Sequence, residues 1–210
     1  MAIADIIQSP KHANDTTSDV NSPLAKKRKL EETFKDSSTS ESLTCLIGTA
    51  APKFSAPALL PDGSFSNISL ESFRGQYVVL VFYSGDFNSK CSSTLNGFSN
   101  RHAEFAAENS ALLFCSTDSE FVHFNWAQMD RSNGGIKGVA VPILTDRSRM
   151  VSRSFGMLDD SGHSFEGVFL IDREGVMRCA LINSTPLTGS VEEVLRLVRE
   201  TKATDETNKC

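Results

Sequence analysis

The run YVVLVFY at residues 77–83 limits the fold more than any other stretch of the chain. Consecutive apolar, β-branched and aromatic side chains cannot alternate between a core and solvent. Such a run fits a strand with both faces covered, as in sheets sandwiched between helices. The next residues, SGDFNSKCSST, are polar and turn-like, with Cys91 at the first turn of the next helical pattern. A cysteine just past a buried strand, at the start of a helix, raises the question of a reactive thiol.

The neighbouring patterns build a sheet around that strand. Residues 91–108 place Leu95, Phe98, His102 and Phe105 on one face, so a single helix is expected there. Residues 111–116 (ALLFCS) read as a second buried strand, 120–131 as a helix around Phe121, Phe124 and Trp126, and 147–155 as a shorter helix. GVFLI at 167–171 and VMRCALI at 176–182 read as a hairpin turning at Asp172-Arg173-Glu174-Gly175. Residues 191–201 close the pattern as an amphipathic helix, with Val191, Val194, Leu195 and Val198 inward. Upstream, a Pro/Ala-rich stretch from Gly48 to Pro61 turns at Asp62-Gly63, a hairpin signal. The alternation predicts an α/β fold with a central mixed β-sheet flanked by helices, its crossovers right-handed.

Residues 1–42 differ in kind. They are rich in Ser, Thr, Asp, Asn and Lys and lack apolar periodicity, so they are expected to be a disordered tail. The tail carries Lys26, Lys27, Arg28 and Lys29 in PLAKKRKL, read as a nuclear localisation signal for an acidic import-receptor groove. A solvated charge run is the plainer alternative. The expected domains are thus 1–42 tail, 43–201 folded domain and 202–210 flexible C-terminal tail with Cys210. A net charge of −5 argues against direct nucleic-acid binding. No apolar run is long enough to span a bilayer, and the N-terminus lacks a basic n-region, so no membrane or secretory role is expected. The five cysteines (Cys45, Cys91, Cys115, Cys179, Cys210) are irregularly spaced, with no CxxC. Thiols of a reducing compartment, nucleus or cytoplasm, are expected, with no metal site and no cofactor.

The ordered blocks resemble the typical two-cysteine peroxiredoxins, the AhpC/TSA family, from about residue 43 to the end. IGTAAPKFSAPAL resembles the opening segment, and FRGQYVVLVFYSGDFNSKC the strand and turn that carry the reactive cysteine. FSNRHAEF, STDSEFVHFNW, GGIKGVAVPILTDRSRMVSRSFGML, GVFLIDREGVMRCALIN and SVEEVLRLV come next in the family's order. The resemblance implies a thioredoxin fold. It also implies that Cys91 holds the peroxidatic position and Cys210 the resolving one, with thioredoxin as reductant. A homodimer pairing through the edge strand 176–182 is implied too, while stacking of dimers into rings stays open.

The surroundings of Cys91 depart from the family pattern, in which a P-x-x-x-T-x-x-C turn is joined by two arginines and a glutamate. Ser84 stands at the proline position, Asn88 at the threonine, Thr94 at the glutamate, and Glu166 and Gly189 at the two arginines. The thiolate is the nucleophile, and cations and donors stabilise it and the charge developing at the O–O bond. Loss of such donors costs about 3–4 kcal/mol each, far from additively. A carboxylate at 166 is expected to raise the thiol pKa. The first reading is therefore weak or lost peroxidase activity in a nuclear, dimeric binding, scaffold or redox-sensing protein with an unknown protein partner. The alternative is an active thioredoxin-dependent peroxidase acting on hydrogen peroxide and organic hydroperoxides through Cys91 and Cys210. Lys90 beside the cysteine and the helix N-terminus favour a thiolate, and Asn88 retains an amide donor. Cys115 and Cys179 fit buried structural thiols, and His123 a packing histidine; His102 and His163 fit the surface. Phe121, Phe124 and Trp126 fit core or interface, and Gly134-Gly135 a surface turn.

Overall fold

The computed structural model describes residues 47–183 and 191–207. All of them fall in a single unit. A hairpin of β1 (Ser55–Leu59) and β2 (Phe65–Ser69) leads into β3 (Tyr77–Phe82). Helices α1 (Ser89–Asn100) and α2 (His102–Ala107) come after it, then β4 (Ser110–Ser116) and α3 (Glu120–Gln128). Next come β5 (Ile143–Thr145), α4 (Met150–Ser154), the hairpin β6 (Glu166–Ile171) and β7 (Met177–Asn183), and α5 (Val191–Thr207). The strands form one seven-stranded sheet ordered β2-β1-β5-β4-β3-β6-β7. β3, β4 and β5 run parallel, and the remaining pairs are antiparallel.

β3 behaves as its composition predicts. Tyr77, Val79, Val81 and Tyr83 enter one core, with α1, α2, α3 and α5. Val78, Leu80 and Phe82 enter the other, with Phe155 and Met157 after α4. The period of two along a strand divides β6 in the same way: Val168 and Leu170 share the first core, Phe169 and Ile171 the second. Parity therefore sends Glu166 to the face that holds Cys91.

Several boundaries differ from expectation. The helix read across 91–108 is two helices, because Arg101 leaves helical geometry at φ −110°, ψ 12°. Leu95, Phe98 and Phe105 are buried as the pattern requires, but His102 lies on the outside. Residues 202–207 are not a loose tail: α5 continues to Thr207. Its apolar stripe ends at Val198, yet the Tyr77 hydroxyl donates to Asp205 Oδ2 (2.7 Å) and Arg178 Nη1 to Asp205 Oδ1 (2.6 Å). Polar bonds thus hold the last turns where no apolar periodicity announced them. β5 has only three residues, too short to show a period. The basic cluster Lys26, Lys27, Arg28 and Lys29, together with Cys45, Gly189 and Cys210, lies outside the described residues.

Candidate active site

Cys91 sits in the first turn of α1, below the turn that leaves β3. Asn88 caps that helix: its Oδ1 accepts from Lys90 N at 2.9 Å. The amide oxygen, not the amide donor expected from sequence, is what this residue contributes. An N-cap of this kind fixes the entry angle of the chain and hence the depth of Cys91. Thr94 is buried and donates to the Lys90 carbonyl (3.2 Å), so its hydroxyl serves the helix. Lys90 itself points out to solvent, away from any role at the sulfur.

The Cys91 side chain is buried, and among the described residues two side chains hydrogen-bond to the sulfur. Ser84 Oγ lies 3.2 Å away, and the thiol donates to Glu166 Oε1 at 3.6 Å, a normal length for a bond to the large sulfur atom. Ser84 is thus a direct partner of the thiol. Burial pushes the Cys91 thiol up; the Ser84 hydroxyl opposes this, and the Glu166 charge adds to it, leaving the thiol above its ordinary value. Magnitudes explain why. A thiolate and a carboxylate 3.6 Å apart would repel by about 4–5 kcal/mol at an effective dielectric near 20. The proton therefore stays in the pair.

Among the described residues no arginine supplies a cation to the sulfur. Arg178 is bonded to Asp172 and Asp205, and Arg153 is exposed on α4; among the described residues no guanidinium or ammonium is bonded to the sulfur. Clefts of about 250 Å³ (around Phe54, Thr145 and Met150) and about 180 Å³ (around Leu59, Phe124 and Lys137) lie elsewhere, and Cys91 lines neither. No group of His, Cys, Asp or Glu among the described residues is arranged to hold a metal ion.

Other elements brace the turn above the cysteine, and sequence reading missed them. The Tyr83 hydroxyl donates to Asp86 Oδ1 at 2.6 Å, and His123 Nδ1 lies 2.8 Å from Asp86 Oδ2, with both His123 and Asp86 side chains buried. Asp86 N donates to Asp118 Oδ2. His123 is therefore a packing histidine with an acid partner that its own helical pattern could not reveal. Phe87, at φ 58°, takes the left-handed conformation and projects outward. Gly135 is no surface turn: its carbonyl accepts from Ser92 Oγ and Asn96 Nδ2, and a Cβ there would collide with the Met129 backbone. That contact anchors α1 directly beneath the thiol. Trp126 is buried, whereas Phe121 and Phe124 are exposed and form an aromatic cluster with Phe65. Cys115 is buried and Cys179 half-buried; both are free thiols raised chiefly by burial.

A mixed sheet covered on both faces, with a cysteine in the first turn of the helix after β3, defines a thioredoxin-fold thiol protein of the peroxiredoxin type. The AhpC/TSA family model matches residues 47–180, and the chain belongs to that family. It is 41% identical over 160 residues to a peroxiredoxin of Cynops pyrrhogaster, covering 76% of this chain and 80% of the relative. It is 39% identical over 164 residues to a thioredoxin peroxidase of Echinococcus granulosus, covering 78% and 84%. Among solved structures, the reduced two-cysteine peroxiredoxin of Plasmodium vivax aligns with a TM-score of 0.74 at 31% identity, covering 77% of this chain and 99% of that one.

Proposed function

We propose that the chain is a slow thiol peroxidase in which Cys91 attacks hydrogen peroxide or an organic hydroperoxide, Cys210 resolves the product and thioredoxin returns the electrons. Its relatives include proteins named thioredoxin peroxidase, which supports the reaction class. The observation that carries the rate is the thiol pair: sulfur fully buried, 3.6 Å from a carboxylate where the family pattern has an arginine. A peroxide that reaches this buried sulfur meets a protonated nucleophile. β7 forms one edge of the sheet among the described residues, with Ile182 half exposed, which supports homodimer pairing through 176–182. Import through Lys26–Lys29 would place the protein in the nucleus as well as the cytoplasm. The test is stopped-flow peroxide consumption: a Cys91-dependent rate below that typical of the family is expected, and a Cys91→Ser variant with unchanged consumption would remove the proposal.

A second reading, a non-catalytic binding or scaffold protein, draws on the same burial. In that case partner capture by the tagged protein is expected to be identical for wild type and Cys91→Ser, with no Cys91-dependent peroxide loss in either.

A further inference from the structure

We propose that Glu166 is the general base of this site: it accepts the Cys91 thiol proton as the sulfur attacks, and returns it to the departing peroxide oxygen. The proposal rests on the peroxide-reducing reading above.

The geometry already has the proton aimed. The thiol donates to Glu166 Oε1 at 3.6 Å, and Ser84 Oγ stands 3.2 Å from the same sulfur, placed to donate to it as negative charge builds. Both positions are set by the fold: β6 parity directs Glu166 to the face of α1, and the Asn88 cap and the Gly135 contact fix α1. Charge counting favours the transfer. A cation-lined pocket stabilises a standing thiolate by opposite charge. Here no cation among the described residues is bonded to the sulfur, so a thiolate beside an ionised carboxylate would place two negative charges together. Passing the proton to Glu166 keeps the pair at a single negative charge before, during and after the transfer, as in a carboxylate dyad sharing one proton.

The step balances without a further reagent. The S–H bond breaks and its proton moves to Glu166 Oε1, while the sulfur lone pair forms an S–O bond and the O–O bond breaks. The leaving oxygen, as hydroxide or alkoxide, takes the proton from Glu166 and departs as water or alcohol. Sulfur is oxidised to the sulfenic acid, the peroxide is reduced, and Glu166 ends in the protonation state in which it began.

Other titratable groups near the site among the described residues have their own settings. Lys90, on α1, is exposed; Asp86, in the turn, pairs with His123 of α3, and Asp118 holds the Asp86 amide. None of them is bonded to the sulfur.

The experiment compares wild type, Glu166→Gln and Glu166→Asp at pH 7. Peroxide-driven oxidation and iodoacetamide labelling are read at Cys91 by mass spectrometry, with the labelling repeated well above the thiol pKa. Loss of a general base predicts that Gln slows both reactions about a hundredfold at pH 7. Asp, which keeps the carboxylate on a shorter arm, falls between Gln and wild type. The labelling rates converge at high pH, where no base is needed, a behaviour that a merely structural role would not produce. If Glu166 acts only by repulsion, Gln labels as fast as wild type or faster, and that result overturns the proposal. Should Gln fail to fold, an Asp variant at or above the wild-type rate overturns it equally. If wild type consumes peroxide no faster than Cys91→Ser, the peroxidase reading falls, while the labelling series still decides whether Glu166 is a base.

Discussion

The two ends of β3 hold acidic groups in opposite circumstances. At its start, the Tyr77 hydroxyl donates to Asp205, and Arg178 bridges Asp205 (2.6 Å) and Asp172 (3.2 Å), with Arg173 stacked 5.3 Å over the Tyr77 ring. Beyond its far end, the turn delivers Cys91 to Glu166 and Ser84. In the first region cations meet the carboxylates, and the network fastens α5 to the sheet. In the second, a thiol meets a carboxylate and one proton stays between them. The placement of a guanidinium separates the clamp from the site where a thiol meets the carboxylate.

The comparison breaks most visibly at the extremes of pH. Burial raises Cys91 and Cys115, raises Tyr77 to about 12 with help from Asp205, and raises Tyr83 well above its ordinary value. Each of these groups is neutral when protonated and holds its proton more tightly when folded. Their stability contribution is complete below the unfolded values, about 8.5 for thiols and about 10 for tyrosine, and is lost as pH rises through the folded ones. At Asp205 burial acts upward, but the Arg178 and Tyr77 bonds outweigh it and hold the carboxyl below its usual range. The clamp therefore contributes above the ordinary aspartate pKa of about 3.9 and loses its contribution as pH falls below it. Urea unfolding across pH should show Cys91, Cys115, Tyr77 and Tyr83 losing their contributions on the alkaline side and the Asp205 carboxylate of the clamp losing its contribution on the acid side; a Cys115→Ala variant should flatten only the alkaline limb.

Cutting the clamp is the next largest effect. Arg178→Ala leaves Asp172 and Asp205 without their shared cation. Allowing for partial exposure, the loss should be about 2–3 kcal/mol, read as a lower urea midpoint at constant slope. Labelling of Cys91 should not change in this variant; a change would show that the two ends of β3 are coupled. Removing the helix cap with Asn88→Ala should cost about 1 kcal/mol and loosen the entry to α1. The smallest effect is Ser84→Ala. It removes a neutral hydrogen-bonding partner worth about 1 kcal/mol, so Cys91 labelling at neutral pH should fall only several-fold.

How much of this was legible depended on the kind of signal. β3 announced itself because a strand buried on both faces must be apolar throughout, and Cys91 followed from its position after that strand. The break at Arg101 left no trace, since no glycine or proline marks it and the apolar spacing runs on to Phe105. The last turns of α5 were hidden because Asp205 is held by Tyr77 and Arg178, residues remote in sequence and not part of any helical stripe. At the site, Ser84 and Glu166 could be picked out only by resemblance to the family. Residue identity alone could not say that both side chains would touch the sulfur. The Asp86–His123 pair was equally silent, because neither partner predicts the other until the turn and α3 are packed together.

The central claim is that the Cys91 proton is held by its burial and by Glu166, so the resting site carries a thiol. Titrating the ultraviolet absorbance of the thiolate in wild type against Cys91→Ser tests it directly. The account predicts that the Cys91 signal appears only above the free-thiol value of about 8.5; a midpoint below neutrality would contradict it.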